Sequence, residues 1–179
     1  MNYEINGQTL YAYSGGKAFD AAKPTLVFIH GVLNDHSVWS LQSRWFANHG
    51  YNVLAIDLPG HGRSTGKPPA SVGEAAQAIL ALLDQLGVQK AVLAGHSWGS
   101  LIALHTASLA PERVSQLVLV GTAFPMRVAP ALLEMSASAS EKAIAMVNQF
   151  SHSTLCSPIA GQGMNNGQWT YGSARALMR

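Results

Sequence analysis

The stretch Lys90-Ala91-Val92-Leu93-Ala94-Gly95-His96-Ser97-Trp98-Gly99 decides how the rest of the chain is read. Lys90 to Ala94 is a short apolar run that reads as a strand buried on both faces. Leu101 to Leu109, closed by Ala110-Pro111, reads as a helix. Between them stands Gly-x-Ser-x-Gly. A sharp strand-to-helix turn holds its middle residue in a strained conformation and exposes that side chain at the C-terminal edge of a sheet. The backbone there packs too tightly for side chains two positions away, hence Gly95 and Gly99. The following helix aims its N-terminal N–H groups and positive dipole end at whatever sits on the turn. Ser97 is therefore the candidate nucleophile. A chance Gly-Ser turn is the plainer alternative, and the flanking strand and helix count against it.

Working outward, Tyr3-Glu4-Ile5, Asn6-Gly7 and Gln8 to Tyr13 spell a hairpin with a type I′ turn. Thr25 to His30, introduced by Pro24 and bounded by Gly31, is a buried strand. Ser37 to His49 carries Val38, Leu41, Trp45 and Phe46 at helical spacing, and Tyr51 to Asp57 is a second buried strand. Leu58 to Ala70 is a Gly- and Pro-rich loop. Ser71 and Glu74 form a capping box before a helix with the stripe Ala75, Ile79, Leu82, Leu83, Leu86, stopped by Gly87. Val114 to Val120, ended by Gly121, reads as a fourth buried strand. Strands alternating with helices at this spacing predict a mostly parallel α/β sheet with an antiparallel hairpin on its edge. Beyond Gly121 the pattern changes. Val128 to Met135 and Ser140 to Phe150 look helical, 151–167 is loop-like, and Ser173 to Met178 starts another helix. No fifth buried strand is visible. The expected division is a core over 1–121 and a helical segment over 122–179.

Composition narrows the function classes. The chain has 179 residues, of which 48% are hydrophobic and only 11% charged, against about 25% charged in an average soluble domain. The net charge of +2 is too small and scattered for a nucleic-acid binder. No run approaches a membrane span, and Met1-Asn2-Tyr3-Glu4 lacks the features of a secretory signal. The single cysteine, Cys156, forms no internal disulfide, which suits a cytoplasmic setting. No Cys or His grouping has metal-ligand spacing, and no Gly-x-Gly-x-x-Gly follows a strand, so neither metal nor other cofactor is expected.

His30-Gly31-Val32 supplies a second signal. An oxyanion hole needs two N–H groups near the nucleophile: one from Trp98, the residue after Ser97, and one from the loop after the first buried strand. That second donor is assigned to Val32, with Leu33 as the alternative, and Gly31 permits the close approach. Asp57-Leu58-Pro59-Gly60-His61-Gly62-Arg63-Ser64 invites a catalytic reading of Asp57 and His61, but turn architecture is favoured, with Asp57 tied to its own loop's amides and Arg63 helping to hold it. His96 is expected to pack beneath the site, and His105 to be a packing residue two turns into the next helix. His36 is open between lining the pocket and facing solvent. His152 lacks a neighbouring acid to orient it as a base. Trp98 is expected to line the pocket and Trp39 to pack its helix. Phe124 and Met126 are expected at the sheet edge, which suggests an apolar substrate pocket; the methionines serve as filler.

Together the segments His30 to Trp39, Asp57 to Ser64 and Gly95 to Gly99 resemble the α/β-hydrolase fold superfamily, specifically its cap-bearing serine hydrolases, over about residues 1–121. The resemblance implies a nucleophile at Ser97, followed in chain order by an acid and a histidine, with a helical cap of which 122–179 would be the start. It implies esterase- or lipase-type chemistry on a small, apolar, ester-like substrate, with C–C, lactone and perhydrolytic chemistries possible in the same fold. Ser97 excludes the Asp nucleophile of dehalogenases and epoxide hydrolases. Ser97 to Ser100 also resembles prolyl aminopeptidases over four residues. The chain departs from the pattern in one respect: no Asp follows Ser97, and only His105 and His152 come later. The resemblance therefore implies an N-terminal part of a hydrolase, with the C-terminal strands, acid and histidine missing and little turnover. The competing class is a catalytically silent fold member or binding protein.

Overall fold

The computed structural model describes residues 1–150. The chain divides into two compact units, Met1–Ala123 and a second beginning at Phe124. His152, Cys156 and the elements expected over 151–167 and 173–178 lie outside the described residues.

In the first unit, β1 (Asn2–Ile5) and β2 (Gln8–Tyr13) form the hairpin. Asn6 and Gly7 sit at φ 52° and 75°, the left-handed pair that a type I′ turn requires. Then follow β3 (Thr25–Ile29), a 3₁₀ turn (His36–Trp39), α1 (Ser40–Asn48), β4 (Asn52–Ile56), α2 (Val72–Gln85), β5 (Ala91–His96), α3 (Trp98–Leu109) and β6 (Val114–Val120). The sheet order is β1-β2-β4-β3-β5-β6. β2 joins β4 antiparallel, and β4, β3, β5 and β6 run parallel. The expected α/β architecture is present, although α3 starts three residues earlier than its apolar pattern suggested. In the second unit, α4 (Pro130–Ser138) and α5 (Ser140–Phe150) are the two helices expected there.

Alternation along the central strands builds a core on each face. Val27, Ile29, Leu54, Ile56 and Leu93 bury against Ala75, Ile79, Leu82, Leu83, Ile102 and Ala103 of α2 and α3. Leu26, Phe28, Val53, Ala55 and Ala94 bury with Trp39 and Ala47. Helices thus cover both faces, which is why β3 and β4 carry no polar alternation. Ser71 caps α2 by accepting from Glu74 N at 3.1 Å; Glu74 reaches back to Ala70 N rather than to Ser71.

Two elements pack in ways their apolar pattern does not report. Of the residues read at helical spacing, Val38, Leu41 and Trp45 are exposed and Phe46 packs against the core, while Ser43 and Ala47 are buried with Trp39. Size is the reason. A side chain at Gly15 would strike the Ser43 carbonyl and the Ala47 Cβ, so the loop after β2 lies directly on the small-residue side of α1. Trp45 instead stacks on His49, centroids 3.9 Å apart.

β6 also differs from a strand buried on both faces. Val118, Leu119 and Val120 are 47, 39 and 43% exposed, because β6 pairs with β5 on one side and ends the described sheet on the other. An apolar edge without charge or proline is a template for pairing with another chain. Val118→Lys in the 179-residue chain should therefore reduce self-association in sedimentation velocity while leaving the unfolding midpoint nearly unchanged.

Candidate active site

Sheet register assembles the site. Ile29 stands opposite Gly95 on one side and Ile56 on the other. Two residues past each end, Gly31 therefore meets Ser97; one residue past, His30 lies between Asp57 and His96. The chain leaves β3 toward β4 in one direction and reaches β5 in the other. The site thus occupies the C-terminal edge at the switch point of an open α/β sheet, where ligands bind in such folds.

Ser97 adopts φ 52°, ψ −120° immediately before α3. An L-residue is strained there, and the surroundings leave no alternative. A side chain at Gly95 would run into the Gly99 carbonyl, and one at Gly99 would come within 2.5 Å of both the Ile29 and His30 oxygens. The first turn of α3 is pressed onto β3, and Ser97 is pushed out where the two meet. Ser97 N donates to Val120 O at 2.8 Å, and Ser97 O accepts from Ser100 N at 2.9 Å. A Cβ at Gly31 would lie 3.1 Å from the Ser97 Cβ, so the loop after β3 touches the elbow. Among the described residues, neither Val32 N nor Trp98 N has an acceptor. Asn34 Nδ2 holds the Val32 carbonyl at 3.0 Å, and Leu33 turns the loop at φ 58°.

His30 is fully buried and both ring nitrogens are engaged: Nδ1 donates to Gly31 O at 2.8 Å and Nε2 accepts from Leu58 N at 3.1 Å. That pattern requires the neutral ring with its proton on Nδ1. Burial pushes its pKa down to about 4, against a smaller opposing effect of the Gly31 carbonyl. His96 sits between Gly31 and Gly121, 3.7 Å from where a Gly121 Cβ would stand, and burial lowers its pKa as well. Its ring thus lies against the loop after β3 and the turn after β6. His105 packs against Gly73 of α2.

Asp57 is buried completely. Its Oδ1 accepts from His36 N (2.7 Å) and His36 Nδ1 (2.8 Å), and its Oδ2 accepts from Arg63 N (2.8 Å). Burial pulls the pKa up, but the His36 ring bond and the two amides outweigh it and hold the carboxyl below its usual range. One carboxylate oxygen of Asp57 thus ties its own loop through Arg63 N, and the other reaches across to His36. His36 is half-buried, bonded to Asp57 beside the Tyr11 and Tyr13 rings. Composition gave no signal for that pair, since the two residues are 21 apart and meet only through strand register. A polar residue such as His30 ending an all-apolar strand does announce that partners must exist. Arg63 braces the loop outward, its guanidinium donating to Tyr11 OH at 3.0 Å.

Asp35, His36 and Asp57 bring three possible metal-ligand atoms within 4.8 Å. Their atoms already serve the fold: Asp35 accepts from Ser37 N at 2.8 Å, and the other two bind each other. His61 bonds Pro59 O at 2.9 Å and lies between the rings of His30 and Trp98, at 5.2 and 6.3 Å. Trp39 packs on Phe28, centroids 4.8 Å apart, and Phe124 is exposed. A cleft of about 270 Å³ between the hairpin, Pro59–Pro69 and α2 does not include Ser97. Ser97 Oγ has no hydrogen-bond partner among the described residues.

Two outcomes test this geometry. Ser97→Gly should raise stability by about 1 kcal/mol in urea unfolding, since glycine relieves the strain at a smaller entropic cost. His30 stays neutral when folded but protonates when unfolded below about pH 6.5. Between there and about pH 4 the unfolded state binds more protons, so stability falls as pH falls, by roughly 3 kcal/mol in all. His30→Gln should flatten that part of a stability-versus-pH curve.

Residues 24–153 match a family model described as the alpha/beta hydrolase fold. Over 99 residues the chain is 41% identical to the dihydrolipoyllysine-residue acetyltransferase component of the acetoin cleaving system of Pseudomonas putida, covering 55% of this chain and 26% of that protein. Over 135 residues it is 33% identical to the sn-1-specific diacylglycerol lipase of Mus musculus, covering 75% and 44%. Among solved structures, Est816, described as an N-acyl homoserine lactone degrading enzyme, is 25% identical with a TM-score of 0.77, over 97% of this chain and 64% of that one. Epoxide hydrolase A from Mycobacterium thermoresistibile is 29% identical with a TM-score of 0.59, over 66% and 37%. The chain thus spans less than half the length of these two curated relatives. With its family model matched across the strands and turns that build the Ser97 elbow, the chain belongs to the α/β-hydrolase fold family.

Proposed function

We propose that this chain carries the nucleophile half of a serine hydrolase acting on an ester or related carbonyl substrate. The observation that carries the reading is Ser97 at φ 52° on a strand-to-helix turn, with Gly31 of the neighbouring loop against it. Ser97 Oγ attacks the carbonyl carbon and gives its proton to a base. The Val32 and Trp98 N–H groups receive the charge that forms on the carbonyl oxygen, and they stand without competing acceptors among the described residues. A donor of this kind contributes about 3–4 kcal/mol at the transition state. Collapse of the tetrahedral intermediate breaks the C–O bond; the alcohol leaves with the proton, and water then cleaves the acyl-enzyme to the carboxylic acid. The base and its orienting acid come from sequence outside residues 1–150. Asp57, though ionised and next to a histidine, is not that acid, since both of its oxygens are spent on the loop.

The domain reading, a core over 1–121 followed by the start of a helical cap, belongs to the same proposal, as does a small apolar substrate. The names of the diacylglycerol lipase and the lactone-degrading enzyme support a carbonyl substrate for this chain. A silent fold member is the second reading; it is favoured by the free Ser97 Oγ, which no described histidine contacts. The two separate in an assay of p-nitrophenyl acetate and butyrate. The 179-residue chain should turn over little, and the protein from its full reading frame should turn over at a rate that Ser97→Ala lowers at least a thousandfold. Ser97-independent turnover in the full protein, or none, contradicts the hydrolase reading.

A further inference from the structure

The loop Gly31–Asp35, which carries the Val32 N–H, is held at both ends by one short segment, Asp57-Leu58. At its near end His30 donates to Gly31 O and accepts from Leu58 N. At its far end Asp57 Oδ1 takes both the backbone N–H and the ring of His36. Asp57 is itself fixed on three sides. Its N–H donates to Tyr11 O at 2.9 Å, its Oδ2 accepts from Arg63 N, and its carbonyl accepts from Ser64 Oγ at 2.6 Å. A side chain at Gly62 would collide with the carboxylate, so the turn closes directly over it. Between the two ends, Leu33 is kept in the left-handed region, which a leucine adopts only when its surroundings impose it.

We propose that Asp57 and His36 are positioning residues for the oxyanion hole: their bond sets where the Val32 N–H lies relative to Ser97. The proposal rests on the hydrolase reading above. A misplacement of about 1 Å in such a donor costs on the order of a hundredfold in rate, because the donor acts on charge that exists only in the transition state. Losing an interaction made only in the transition state lowers kcat and kcat/KM together and leaves KM nearly unchanged. Asn at position 36 offers a side-chain N–H near the place of the histidine Nδ1, whereas Ala offers none.

The test uses protein from the full reading frame, with the Ser97 sites counted by fluorophosphonate labelling so that rates refer to folded, competent molecules. Asp57→Asn and His36→Ala should each lower kcat per labelled site by about tenfold to a hundredfold with KM changed less than about twofold. His36→Asn should recover most of the loss. Affinity for a trifluoromethyl ketone, which forms a tetrahedral oxyanion on Ser97, should fall in step with kcat. If His36→Ala and Asp57→Asn lower only the unfolding midpoint, with kcat per labelled site unchanged, the proposal is overturned. The same holds if His36→Asn fails to recover activity. Absence of Ser97-dependent turnover in the wild type overturns the hydrolase reading, and this one with it; wild-type turnover with unaffected variants overturns this one alone.

Discussion

The close approach of α3 to β3 is the constraint on which the rest of the site depends. Gly99 lies against the Ile29 and His30 carbonyls, where no side chain would fit. With the helix that near the strand, the turn from β5 has no room to relax, and Ser97 takes the strained conformation recorded at φ 52°. The strain is of order 1–3 kcal/mol, and the two-faced core of the sheet sustains it. The same approach puts the N-terminus of α3 beside the loop that leaves β3. One packing contact thus sets the turn that holds Ser97 and lays the Gly31 backbone against it.

A second layer keeps that arrangement from moving. The ends of β3, β4 and β5 lie at one level because of strand register, and the residues just beyond them hold one another: His30 binds Gly31 and Leu58, and Asp57 binds His36 and Arg63. Buried polar groups are tolerated here because each is paired. His30 is kept neutral by burial, and Asp57 is kept ionised by its donors in spite of burial. Histidine and aspartate, the residue types of a catalytic triad, are used here as struts. Their role follows from the direction of their bonds and not from their chemistry alone.

Much of this could be read from the residues. The buried strands around Leu26–Ile29 and Val53–Ile56, the Asn6-Gly7 turn, the Ser71 cap and the elbow at Ser97 are encoded in local pattern, and each formed where the pattern placed it. The failures were non-local. In α1, Ser43 and Ala47 are buried for their small size, which hydrophobicity does not report. β6 reads as an interior strand, yet its outer side has no pairing partner in the described sheet. The His36–Asp57 bond depends on which strands are neighbours, information that no window of sequence holds.

The central claim is that Ser97 is a chemically activated nucleophile once the protein has its base. Peptide mass mapping after brief exposure of the full-frame protein to a fluorophosphonate tests it most directly. The account predicts a single stoichiometric adduct on the peptide containing Ser97, lost on heat unfolding and absent from Ser97→Ala. Adducts spread over other serines, or none in the folded protein, would contradict it.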